Sequence, residues 1–222
     1  MTSVFASEKE LVSCIASCVR AKPGSLLKDG KVSLFAELDL GYGIADLVAV
    51  SYEDSTSIDR ENFLEYFDVS LLSIIEKEHK LSFEDIVYIT RSPEKKIISS
   101  LSSLVREGFV TLNKGRYISH KKYADILTDS VAIEAKLKDW KRALKQAYRY
   151  KWFSNKSFVF LPLENIAVPR KNISLFQRYN VGLAGVSRAS GIEVVYSPKP
   201  EAPISENMRL SLNEHLLFRD NA

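Results

Sequence analysis

Cysteine and histidine are scarce: 222 residues hold only Cys14, Cys18 and three histidines. Two cysteines four apart on one helix make poor disulfide geometry, and no Cys or His cluster accompanies them to suggest a zinc site. They read as small apolar side chains buried in a reducing compartment. His79, His120 and His215 lie far apart in sequence, as surface or structural histidines do. Long apolar runs are missing too. Nothing approaches the roughly 20 residues that a bilayer-spanning helix needs, so no membrane partner is expected. The opening MTSVFASEKELVSC carries acids where a signal peptide carries positive charge followed by an apolar stretch, and a cytoplasmic protein is expected. Net charge is small as well, at +3. With 45% hydrophobic and 27% charged residues, disordered and fibrous classes are excluded. The length admits one large domain or a core with a modest insertion.

What charge there is lies unevenly. From Lys136 to Lys156 eight basic residues face Asp139 alone, and from Tyr88 to Lys122 eight face only Glu94 and Glu107. Glu53 to Asp68, by contrast, sets six acids against Arg60. Two basic segments on a nearly neutral chain suggest a polyanion footprint, although solvated helix faces would give the same pattern.

Periodicity divides the chain into three stretches. Leu11, Val12, Ile15, Ala16 and Val19 predict a helix over 8–21, stopped by Pro23-Gly24. Val32–Leu40 and Ile44–Tyr52 are β-rich and joined by a turn containing Gly41 and Gly43. Next comes a predicted helix over 60–79, a second over 81–90 begun by Ser82 with Asp85 three residues on, and a third opened by Ser92-Pro93 and ended by Gly108. FVTLNKGRYIS then reads as a hairpin. Helix, helix, helix, hairpin is the plan of a winged helix-turn-helix inserted over residues 56–122. After it come strands at 130–135, 157–161, 181–186 and 192–196, with helices at 140–153, 173–179 and 205–218. Strand-helix-strand order implies a partly parallel sheet covered on both faces, built from residues 1–55 and 123–222.

Two strands contain charge that ordinary core packing rejects. Asp46 sits in GIADLVAV, and Glu134 and Lys136 end the run SVAIEAK. An unpartnered buried carboxylate costs several kcal/mol, so such residues need a metal or an opposite charge. Strand alternation puts Glu134 and Lys136 on one face, where Asp46 of a neighbouring strand can meet them. Two carboxylates and a main-chain carbonyl suit Mg²⁺, and a lysine beside them suits the charge that develops in phosphodiester hydrolysis. A buried ion cluster without catalytic duty uses the same residues.

Asp46, then Glu134-Ala135-Lys136, then the basic helix IEAKLKDWKRALKQAYRY with Gln146 and Tyr150 spaced QxxxY, resembles the PD-(D/E)xK nuclease superfamily in its RecB-like branch. VGLAGVSRASGIEVVY looks like the strand pair that closes such cores. The resemblance covers roughly residues 1–52 and 129–200, and Ala45 stands where the motif's proline would be. It implies an α/β, restriction-endonuclease-like mixed sheet flanked by helices. It also implies a DNA-cutting hydrolase using Mg²⁺ or Mn²⁺, with Asp46, Glu134 and the Ala135 carbonyl as metal ligands. Lys136 would serve the attacking water and Gln146 would position the site or the DNA backbone. Many relatives carry a further acid earlier, for which Glu37 and Glu10 compete; Glu37 is preferred. Tyr150 is equally readable as a core aromatic.

On the insertion, Lys95 and Lys96, with Lys114 and Arg116 on the wing, are candidates for phosphate contact. Protein contact, or bracing of the core, is the competing reading. Lys141, Lys145 and Arg149 on the basic helix are further DNA-contact candidates, or solvated charge. A non-catalytic DNA-binding regulator and a partner-dependent subunit of a defence or repair assembly are the rival functions, and a homodimer or larger assembly is open.

Overall fold

A computed structural model describes residues 5–53 and 60–218, so residues 54–59 of the acidic stretch lie outside the described residues. The chain divides into two units, Met1–Asp54 with Leu127–Glu206, and Ser55–Ile126 with Asn207–Ala222. Helix α1 (Glu8–Ala21) and strands β1 (Lys31–Asp39) and β2 (Ile44–Tyr52) open the first unit. The second unit holds α2 (Tyr66–Glu78), β3 (Lys80–Ser82), α3 (Phe83–Thr90), α4 (Glu94–Arg106), β4 (Val110–Asn113) and β5 (Arg116–Ser119). The chain then returns through β6 (Leu127–Ala135), α5 (Trp140–Arg149), β7 (Lys156–Pro162), α6 (Ala167–Lys171), α7 (Ile173–Tyr179), β8 (Gly182–Ser187) and β9 (Gly191–Tyr196). Helix α8 (Glu206–Leu217) ends it.

The first unit is an α/β assembly around a mixed sheet ordered β1-β2-β6-β7-β8-β9. Its middle pairs, β6–β7 and β7–β8, are parallel and the outer pairs antiparallel. Alternation sorts the side chains of β6. Val131, Ile133 and Ala135 pack with Leu11, Ile15 and Val19 of α1, whereas Glu134 meets Tyr150 at the end of α5. The two helices therefore cover opposite faces. Ser7 caps α1, its hydroxyl accepting from the Glu10 amide at 3.2 Å, and Asp139 caps α5 by accepting from the Arg142 amide at 3.1 Å. Cys14 and Cys18 are free thiols, packed half-buried against the edge of the α1 core. Their helix turns them to the margin of the layer.

The second unit runs helix, strand, helix, helix, strand, strand, with a three-stranded sheet ordered β3-β5-β4. The short β3 has no signal in the sequence reading. Ser82 and Asp85 cap α3 reciprocally: the Asp85 amide donates to the Ser82 hydroxyl at 3.1 Å and the Ser82 amide to the Asp85 carboxylate at 2.9 Å. The β4–β5 turn places Lys114 and Gly115 at φ 47° and 74°, as a tight hairpin turn requires.

Two differences from the sequence reading share one cause. Helix α2 starts at Tyr66 and not at Arg60, and α8 joins the second unit where the sequence reading carries it with residues 123–222. Glu214 of α8 is fully buried and accepts from the Arg60 guanidinium at 2.5 Å, the Leu64 amide at 3.0 Å and the Tyr123 hydroxyl at 2.6 Å. Asn213 accepts from the Ile126 amide at 2.9 Å and donates to the Ala124 carbonyl at 2.8 Å. The Leu64 amide thus finds its partner outside its own helix, and the same glutamate fastens α8.

Candidate active site

Register brings the two unusual strands together. Leu47 of β2 pairs with Ile133 of β6, so the next residues along, Asp46 and Glu134, stand across from each other on one face. The Ala135 amide donates to Asp46 Oδ2 at 2.7 Å, fixing that carboxylate at the strand end. Beyond Ala135 the Lys136 amide still bonds the Phe160 carbonyl at 3.1 Å, which holds Lys136 as an extension of β6.

The Lys136 ammonium gathers the site. It lies 2.9 Å from Glu134 Oε1, 3.7 Å from Asp46 Oδ2, and 3.1 Å from both the Ala135 carbonyl and Glu8 Oε2. Glu134 is fully buried, Asp46 half-buried, and Glu8 exposed at the N-terminus of α1. Glu134 Oε1 faces the Lys136 ammonium as a close ion pair. On its other oxygen, Oε2, Glu134 meets the Tyr150 hydroxyl at 2.5 Å, and that hydroxyl also reaches the Ile44 carbonyl at 2.7 Å. Gly43, at φ 113°, turns the chain into β2 beside the ring.

Burial pushes the Asp46 carboxyl up, against the opposing pull of the Ala135 amide and Lys136. Burial also pushes Glu134 up, opposed by Tyr150 and Lys136 and reinforced by Asp46. For Lys136 burial works against the charge, yet Glu134, Asp46 and Glu8 outweigh it and hold its pKa above the ordinary lysine value. Tyr150 is driven upward by burial and by Glu134, so it stays a neutral hydroxyl.

Of the residues expected at the site, Asp46, Glu134, Ala135 and Lys136 converge. Glu37 and Glu10 do not. Glu37 sits opposite Asp46 in the β1–β2 register, but its φ of 51° breaks the regular pleat, and its exposed carboxylate has no polar partner among the described residues. Glu10 binds Arg188 at 2.8 Å and the Ala6 amide at 3.2 Å. The acid that arrives is Glu8, which the sequence reading passed over. Residues two apart on a helix point away from each other, so only one of Glu8 and Glu10 can face Lys136. Gln146 is half-buried, its Oε1 without a partner, and makes no hydrogen bond to the acids or Lys136. Lys141, Lys145 and Arg149 are exposed on α5.

In the second unit Lys95 and Lys114 are exposed, while Lys96 Nζ lies 4.4 Å over the Phe67 ring and Arg116 stands 3.7 Å from Asp85.

Among the described residues no group of three or more His, Cys, Asp and Glu is disposed to hold a metal ion. The donors here are two carboxylates and a carbonyl, all oxygen, converging on one cationic centre, and their chemistry suits a hard divalent cation. No described helix is long and apolar enough to cross a membrane. Compared with protein-family models, curated proteins and solved structures, the chain matches none.

Proposed function

We propose that the chain is a metal-dependent deoxyribonuclease of the PD-(D/E)xK type, with a restriction-endonuclease-like core and a winged helix that assists DNA binding. One observation carries the reading: Asp46, Glu134 and the Ala135 carbonyl meet around the Lys136 ammonium at the ends of two adjacent strands. Each buried carboxylate must be desolvated, and the catalytic reading gives that cost a use.

Asp46, Glu134 and the Ala135 carbonyl would hold Mg²⁺ or Mn²⁺, which when bound supplies Lewis-acid polarisation of a phosphate and a more acidic water. The other roles belong to this chain's own groups. Lys136, kept cationic by three carboxylates, presents its ammonium where negative charge develops and orients the attacking water. Tyr150 grips Glu134 Oε2, which leaves Oε1 turned toward the Lys136 ammonium. Glu8 steadies Lys136 from α1. In the second unit the order α2-β3-α3-α4-β4-β5 supports the winged-helix reading, with α4 in the recognition position and Lys95, Lys96, Lys114 and Arg116 as phosphate contacts.

The test is cleavage of circular and linear DNA, single- and double-stranded, with Mg²⁺, Mn²⁺ or EDTA, beside Glu134→Ala. Metal-dependent cutting that the variant lacks is expected, and cut circles identify an endonuclease. The competing reading, a regulator or partner-dependent subunit, has Lys136 in its favour, because its ammonium already satisfies the acids. DNA bound but never cut selects that reading. Unchanged DNA affinity after Lys95→Gln with Lys114→Gln removes the DNA role of the second unit.

A further inference from the structure

A groove of about 440 Å³ runs between α5 and α7 in the first unit, a size typical of small-molecule recesses. Leu144 and Leu175 floor it, and Trp140, nearly buried and stacked on Phe176 with centroids 5.8 Å apart, forms a rigid wall. Tyr148 and Tyr179 stand at its edge, 46% and 39% exposed, their rings meeting edge to face at 5.4 Å. Lys141, Lys145 and Arg149 line it from α5, all exposed, and among the described residues no acid lines it. The nearby Asp139 is occupied in capping the helix. Like charges at four-residue spacing destabilise a helix, so this row of cations works against the folding of α5.

We infer that this groove binds unpaired nucleotides of a nucleic-acid strand, with bases stacked on Tyr148 and Tyr179 and phosphates met by Lys141, Lys145 and Arg149. The cations and the absence of an acid call for an anionic occupant. The exposed tyrosines call for flat rings. An acidic protein segment supplies the first and not the second; a single strand supplies both in alternation. Successive cations advance about 6 Å along the helix, so one strand can meet them in turn. A duplex hides its base faces in its own stack, and only unpaired bases can offer them to an aromatic side chain. The inference deepens the nuclease reading by giving the substrate an unpaired stretch, and it rests on that reading for the bound strand being a substrate.

The experiment is fluorescence anisotropy of the full chain in EDTA with labelled oligo(dT) and with a hairpin duplex, over a range of salt. The wild type is expected to prefer the single strand. Tyr148→Ala should weaken single-strand binding about fivefold or more and leave the duplex unchanged, while Tyr148→Phe retains binding. Lys145→Gln should reduce the slope of log affinity against log salt by about 0.7. Equal affinity for both DNA forms, an unaltered Tyr148→Ala, or a polyglutamate peptide displacing labelled oligo(dT) as well as unlabelled oligo(dT) does, overturns the inference. Without metal, binding is scored apart from cutting. Tyr148-dependent binding by a chain that cuts nothing removes the nuclease and keeps the groove; duplex cutting with no single-strand preference does the reverse.

Discussion

The Tyr150 hydroxyl stands between two acceptors, 2.5 Å from Glu134 Oε2 and 2.7 Å from the Ile44 carbonyl, with a single hydrogen to give. When Glu134 is ionised, the hydrogen goes to its carboxylate; when Glu134 is protonated, the acid donates to Tyr150 and Tyr150 donates to Ile44. The tyrosine therefore serves both protonation states of a fully buried acid. The charge-assisted bond is the stronger, so Tyr150 on balance favours the ionised form, opposing the burial that pushes Glu134 up. Tyr150→Phe should destabilise the fold by about 1–3 kcal/mol and shift the acid limb of the cleavage pH profile to higher pH. An acid limb that stays where it is in Tyr150→Phe rules out this role.

The two acids also set a pH dependence of stability. Asp46 and Glu134 both have raised pKa values in the folded chain, by burial foremost. Between the ordinary carboxylate range and those raised values the folded chain binds more protons than the unfolded one. Stability contributed by the neutral acids is present at low pH and lost as pH rises through the folded values. In EDTA, urea unfolding of the wild type should therefore show a stability decline toward neutral pH that Glu134→Gln reduces, since its amide never ionises. Mg²⁺ should restore stability to the wild type and not to the variant. Identical pH profiles for the two proteins would falsify the assignment.

Glu8, not Glu37 or Glu10, reaches Lys136. Glu8→Gln removes one of three carboxylates around the ammonium while leaving Asp46 and Glu134 in place. A several-fold drop in cleavage is expected, well short of the loss in Glu134→Ala, because Glu8 is exposed and its pull is screened by solvent. Glu37→Gln and Glu10→Gln should cut at the wild-type rate. Rates measured side by side decide the matter, and a Glu37→Gln defect larger than that of Glu8→Gln overturns the order.

Legibility of the sequence followed the range of the interaction. Strands and helices of the first unit were readable because their signals are local: the helical spacing of Leu11, Ile15 and Val19, the Gly41–Gly43 turn, the β-branched run in VAIEA. Asp46, Glu134 and Lys136 were readable because charge within an apolar strand demands a partner. Glu8 was not, since helix phase alone separates it from Glu10, and one residue of phase is beyond what periodicity resolves. The start of α2 and the docking of α8 were hidden for a different reason. They depend on Arg60, Tyr123 and Glu214, residues 154 positions apart at the extremes, whose pairing no local pattern announces.

A buried pair at the opposite end of β6 carries stability without touching the site. Asp129 and Lys156 lie 2.9 Å apart with side chains 1% and 10% exposed. Asp129 also accepts from the Lys28 and Ser130 amides, each at 3.0 Å, and Lys156 donates to the Leu26 carbonyl at 2.5 Å. Together they tie the segment before β1 to β6 and β7. Asp129→Ala leaves a mostly buried lysine without its counter-charge and two amides without their acceptor, so a loss of about 3 kcal/mol is expected in urea unfolding at neutral pH. Adding Lys156→Met should recover part of it, because the lone buried charge is then gone while the Lys28 and Ser130 amides remain unpaired. A loss below about 1 kcal/mol for Asp129→Ala would mean that water reaches the pair and that it does not brace the sheet.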